Sequence, residues 1–128
     1  MNLESVAKWS PYAHALLRIV VALCFIEHGT AKLLGFPPPI NPQPVRFSLL
    51  GLQGVIEIVG GVLVLVGLWT RPAAFILAGD MAVAYFMVHF PKSFFPLLNA
   101  GDAAVLYCFI FLFFFFAGAG PWSVDGRN

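Results

Sequence analysis

The stretch HALLRIVVALCFIEHGTAKLLG, residues 14–35, sets the architecture. It is long enough to cross a bilayer, which takes about 20 apolar residues, yet it carries Arg18, Glu27, His28 and Lys32. A charge near the bilayer centre costs at least about 2.5 to 3.5 kcal/mol, so this helix cannot face lipid all round and needs neighbours. The rest of the chain supplies them. SLLGLQGVIEIVGGVLVLVGLW reads as a second span at 48–69, followed by the break Thr70-Arg71-Pro72, and its glycines Gly54, Gly60, Gly61 and Gly67 permit close helix approach. A third span is expected at 73–90, ending before Pro91, and a fourth at 102–119, whose FIFLFFFFA run suits a lipid-facing or packing surface.

Between the first two spans, FPPPINPQP holds Pro37, Pro38, Pro39, Pro42 and Pro44, which predicts a stiff, extended connector because proline neither continues a helix nor donates a hydrogen bond. Upstream, Trp9 and Tyr12 are expected as interfacial anchors, with Pro11 suited to a helix start. The N-terminus lacks a basic region leading directly into an apolar core and a small-residue cleavage site, so the first apolar run is expected to stay in the mature protein. Strand alternation is absent. The prediction is an all-α chain, one membrane domain over 1–128, built as a four-helix transmembrane bundle with a Pro-rich first loop.

Composition agrees. Of 128 residues 60% are apolar and 10% charged, against about 25% charged in water-soluble chains, and the mean hydropathy is +0.89. A net charge of +1 with no basic run argues against nucleic acid as a partner. Cys24 and Cys108 stand alone in apolar runs without a C-x-x-C pair, so they read as small packed hydrophobes rather than a thiol-exchange site.

The ionisable residues inside the spans are the informative ones. With both termini on one side and about 1.5 Å of rise per residue, Glu27, His28, Lys32, Gln53, Glu57, His89, Asn99 and Asp102 gather in the half of the membrane opposite the termini. Arg18 and Arg71 fall in the other half, with Asp125 as a partner, and Asp80 is expected as a structural partner of Arg18 or Arg71. The candidate pocket is therefore His28, Lys32, Gln53, Glu57, His89, Asn99 and Asp102, and the candidate structural ion pairs involve Arg18, Arg71, Asp80 and Asp125. Two readings compete for the pocket. In one, the charges pair off to fix helix register, Glu57 with Lys32 for example. In the other they line a site for a lipophilic headgroup such as a quinone, with His28, His89 or Lys32 as proton donor and Glu57 as proton relay. Two histidines in one half would also serve as axial haem ligands, but no C-x-x-C-H or His-x-x-x-His spacing supports haem and no metal site is expected.

These residues also carry a resemblance. Arg18, His28-Gly29-x-x-Lys32-Leu33, Glu57-x-x-Gly60-Gly61, Gly67, Thr70-Arg71, Met81, His89, Asn99-x-Gly101-Asp102, Tyr107 and Gly118-x-Gly120-Pro121-x-Ser123-x-Asp125 resemble the DoxX family of small four-helix membrane proteins over nearly the whole chain. Position 102 is often Glu in that family and is Asp here, one methylene shorter; following Gly101 it stands at a helix start, where the dipole favours a carboxylate. The resemblance implies a bacterial inner-membrane, multi-pass protein associated with quinol oxidase, thiosulfate or quinone chemistry. A quinone-pool or oxidoreductase-associated subunit is the leading expectation, with a lipophilic quinone as ligand. A small proton-coupled transporter and a membrane adaptor for soluble redox enzymes are the alternatives. A homodimer is a further expectation from the glycine faces. Lys8, Arg18, Arg71 and Arg127 on the terminal side outnumber Lys32, Arg46 and Lys92 on the other, which leans toward cytoplasmic termini.

Overall fold

A computed structural model describes residues 2–38 and 49–126 of the chain. Most of the proline-rich connector lies outside the described residues, as do Arg46 and Arg127 of the orientation argument. The described residues are helical with no strand: α1 Leu3–Ala7, α2 Ser10–Leu34, α3 Leu49–Val66, α4 Thr70–Ala84, α5 Pro96–Asn99 and α6 Asp102–Ala117. A π-helical turn, Tyr85–His89, and a short 3-10 turn, Phe90–Lys92, prolong α4.

Chain chemistry sets the ends of these helices. Pro11 sits in the first turn of α2, where its missing N–H is no loss, and Gly35 closes α2 in the left-handed conformation at φ +71°. Helix α3, the expected second span, stops at Val66 rather than at Trp69. Gly67 turns the chain at φ +71°, and the C-terminal tail then takes the freed carbonyls, Val124 N–H donating to Val66 O (3.0 Å) and Asp125 N–H to Gly67 O (2.7 Å). Helix α4, the expected third span, starts earlier than expected, at Thr70, with Pro72 tolerated in its first turn. Its extension runs to Lys92, and Thr70–Lys92 is the one run among the described residues that is long and apolar enough to cross a membrane by itself. The apolar stretches Gly51–Val66 and Asp102–Ala117 are shorter.

Helix α2 packs along α3, and α4 along α6, while the α3–α4 seam is sparser. The core between them is Val21, Ala22, Phe25, Val64, Ala74, Leu77, Met81, Phe111 and Phe114, with the Phe25 and Phe111 rings edge-on at 4.8 Å. Gly29 and Gly54 bring α2 and α3 together: a Cβ on Gly29 would stand 2.7 Å from Gly54 O. The exterior differs from that of a water-soluble domain. Leu16, Val20, Val55, Val59, Phe75, Val83, Phe109 and Phe116 cover the outside, whereas Arg18, Glu57, Thr70 and Asn99 are buried. An apolar exterior around buried polar groups is the arrangement lipid selects.

Candidate functional site between the third and fourth helices

Helix α3 descends toward the terminal side and α4 climbs back. Glu57 lies nine residues before Val66 and Asp80 ten after Thr70, so at about 1.5 Å per residue both stand about 14 to 15 Å from that turn. At this level α2 contributes Lys32, whose Nζ donates to Glu57 Oε1 at 2.6 Å. Glu57 is completely buried and Lys32 about one quarter exposed. On its other side Glu57 meets the Asp80 carboxyl, which also contacts the Gln53 side chain one turn along α3. Glu57 Oε2 and Asp80 Oδ2 are both buried without a hydrogen-bond partner. The result is a polar line across three helices: Lys32, Glu57, Asp80, Gln53.

The far end of that line opens sideways. Gln53 and Asp80 are the polar members of a groove of about 300 Å³ between α3 and α4, otherwise walled by Leu49, Leu52, Ile56, Ile76, Gly79, Val83, Ala84, Met87 and Val88. Leu52, Ile76, Val83 and Met87 are exposed, so the groove opens on the outer surface of the helices. A second, apolar hollow of about 270 Å³, lined by Val55, Ile56, Val59, Gly60, Leu63, Ala73 and Ile76, shares Ile56 and Ile76 with the first and continues it along the seam.

The expected pocket is thus divided. Lys32, Gln53 and Glu57 come together. His28, one residue and so about 100° from the α3-facing Gly29, is exposed; it stands beside Lys32 and Glu27 in charge terms, while its ring packs on Phe25 and, at 5.6 Å, on Tyr107 of α6. His89 and Asn99 belong to a separate network at the α5 corner. There Asn99, fully buried, donates Nδ2–H to Tyr85 Oη (3.1 Å) and Ser93 O (2.9 Å), and its Oδ1 accepts from Gly101 N–H (2.8 Å). His89 Nδ1 lies 3.0 Å from Asn99 O; since a carbonyl only accepts, Nδ1 carries a hydrogen there. Asp102 is exposed at the start of α6.

One expected ion-pair assignment is corrected. Asp80 does not serve Arg18 or Arg71; it sits with Glu57 and Gln53 because the level arithmetic places it opposite Glu57. Arg18, fully buried, is held by backbone: its guanidinium donates to the carbonyls of Ala119, Pro121 (3.0 Å) and Trp122 (2.7 Å), so the tail wraps it. A fork of five donors suits such a cage better than one carboxylate. Asp125 is near Arg18 and Arg71 electrostatically, but its hydrogen bonds cap α4, Oδ1 accepting from Trp69 N–H (3.0 Å) and Oδ2 from Thr70 N–H (2.8 Å). Desolvation opposes its charge, yet the bonds from Thr70 and Trp69 and the charge of Arg71 outweigh it and hold the carboxyl below its ordinary range. Among the described residues no three of His, Cys, Asp and Glu converge as a metal site.

The profile of the DoxX family matches residues 13–90 of the chain, which takes in α2, α3, α4 and the π-turn. The chain belongs to the DoxX family. An uncharacterized protein of Haemophilus influenzae is 49% identical to it, over 98% of this chain and 96% of its own length. An uncharacterized membrane protein of Mycobacterium tuberculosis is 33% identical, over 87% of this chain and 78% of its own. No solved structure matches. Family, relative and apolar exterior agree on an integral membrane protein of the DoxX type. Lys32 and Glu57, which form the ion pair, both fall inside the matched region, and so does Asp80, which sequence reasoning had assigned elsewhere.

Proposed function

We propose that this DoxX protein crosses the bacterial inner membrane four times, as one membrane domain with cytoplasmic termini, and binds a lipophilic quinone-type molecule in the α3–α4 groove. The observation that carries this reading is the groove itself, apolar along its length and closed at one level by Gln53 and Asp80. A mostly apolar pocket with a few placed polar groups is the usual form of a small-molecule site. The adjoining apolar hollow suits the ligand's tail, and a carbonyl head would take hydrogen bonds from the Gln53 amide and from a protonated carboxyl. Lateral opening fits a molecule that arrives from the bilayer rather than from water. The quinone class also accords with what the family resemblance implies, namely association with quinone-linked oxidoreductases.

The experiment is mass spectrometry of lipids extracted from gently purified protein, comparing wild type with Gly79→Leu. Gly79 lines the groove, and a Cβ there would meet nothing within 4 Å, so the larger side chain fills the space without disturbing the core. A quinone retained by wild type and lost from Gly79→Leu supports the reading. Equal retention by both, or none by either when quinone is supplied, refutes it.

A further inference from the structure

Three helices contribute one cation and two carboxyl groups to a single buried line: Lys32 from α2, Glu57 from α3 and Asp80 from α4. The ammonium occupies Glu57 Oε1 at 2.6 Å. Glu57 Oε2 has no partner although the residue is fully buried, and Asp80 Oδ2 has none either. A buried polar atom left unpaired costs about 1 to 3 kcal/mol, and two carboxylates in contact cannot both stay ionised beside one cation. A single proton between the two carboxyl groups removes both difficulties, since it turns one acceptor into a donor. The other titratable neighbours do not supply that donor. Tyr107 of α6 reaches Glu57 only through its field, and His28 stands beside Lys32 and Glu27, not beside Glu57 or Asp80. Gln53 engages Asp80 on its groove side.

We propose that Glu57 and Asp80 hold one proton between them and that Asp80 presents it to the groove as a hydrogen-bond donor for the carbonyl of a neutral, lipophilic ligand. Lys32 is then the positioning residue, fixing Glu57 as the ionised member. The ligand half of this statement rests on the function proposed above; the shared proton does not. Asp80 is placed to be read by the ligand because it is the carboxyl that lines the groove. Glu57, one step inward, is shielded from it.

The test is infrared spectroscopy of the protein in lipid nanodiscs at pH 7, using the carbonyl stretch that a protonated carboxylic acid shows and a carboxylate does not, identified by its shift in D2O. Wild type is expected to show one such band. Asp80→Asn leaves Glu57 in a simple pair with Lys32 and is expected to abolish it. Lys32→Met removes the cation, so both groups become neutral and the band area doubles. Absence of the band in wild type overturns the proposal, as does its persistence in Asp80→Asn. If Asp80→Asn does not fold, Lys32→Met decides: doubling supports a shared proton and an unchanged area overturns it. Adding a decyl-tailed benzoquinone to wild type is expected to shift the band as the O–H turns to the quinone carbonyl. A band that is present but indifferent to the quinone retains the shared proton and overturns the ligand half alone.

Discussion

Replacing Gly29 by alanine would test the packing that assembles the site. The added Cβ would stand 2.7 Å from Gly54 O and 2.7 Å from Ile58 Cγ1, with Ile58 N at 3.1 Å. Ile58 can rotate, but the Gly54 carbonyl is backbone and cannot. Ordinary contact begins near 3.4 Å, so going from 2.7 to 3.4 Å the helices α2 and α3 must part by about 0.7 Å. Overpacking of this kind costs about 1 to 3 kcal/mol, which exceeds the roughly 1 kcal/mol that alanine returns in helix propensity only when the helices cannot relax freely. Here Lys32, almost one turn further along the same helix, ties them. The same displacement would stretch its 2.6 Å bond to Glu57 to about 3.3 Å, outside the 2.7–2.9 Å range of a strong charge-assisted bond. The expected result is a lower unfolding free energy in detergent together with weaker quinone retention. Gly79→Ala, whose Cβ would meet nothing within 4 Å, is the control for stability alone, since Gly79 lines the groove, and should unfold like wild type or slightly later. Gly29→Ala matching wild type in both stability and retention would refute the reasoning.

Other perturbations follow from the same geometry. Arg18→Lys supplies a point charge where three backbone carbonyls need a fork, so the tail from Gly118 onward should undock and be clipped by protease faster than in wild type. Asp125→Ala removes the α4 cap and should cost about 1 kcal/mol, read as a lower unfolding midpoint. Because the folded Asp125 carboxyl is held below its ordinary range, its contribution is present above the unfolded value, about 3.9, and fades as pH falls through the lower folded value. Wild type and Asp125→Ala should therefore converge in stability in acid; a gap that widens on acidification would contradict the assignment. Asn99→Leu orphans Gly101 N–H, Ser93 O and Tyr85 Oη, each worth about 1 to 3 kcal/mol if left dry. Slower refolding or outright loss of the α5 corner in hydrogen exchange is expected.

Much of the fold was legible because apolar runs, prolines and glycines set helix number and ends locally. Pro11, Gly35 and Gly118 stop or start helices where their backbone chemistry says they should. The end of α3 was misread because Leu68 and Trp69 continue the apolar pattern, while the turn at Gly67 depends on a tail more than fifty residues away. The π-turn Tyr85–His89 left no sequence signal either, since it arises from the Phe90 N–H reaching back to Tyr85 O. At the site, depth arithmetic groups Lys32, Gln53 and Glu57, whose side chains meet along one polar line. Counting from the Thr70 break puts Asp80 level with Glu57, which an assignment to Arg18 or Arg71 overlooks. His28 and His89 show the opposite failure: placement in one half does not bring side chains together when they sit on different faces.

A photoreactive decyl-tailed benzoquinone in nanodiscs probes the α3–α4 groove itself, with labelled residues located by mass spectrometry. Labelling is expected on residues that wall the groove, such as Leu52, Ile56, Val83 and Met87, competed by unlabelled quinone and lost in Gly79→Leu. Labelling spread over the exposed faces of α2 and α6, or unaffected by Gly79→Leu, would contradict it.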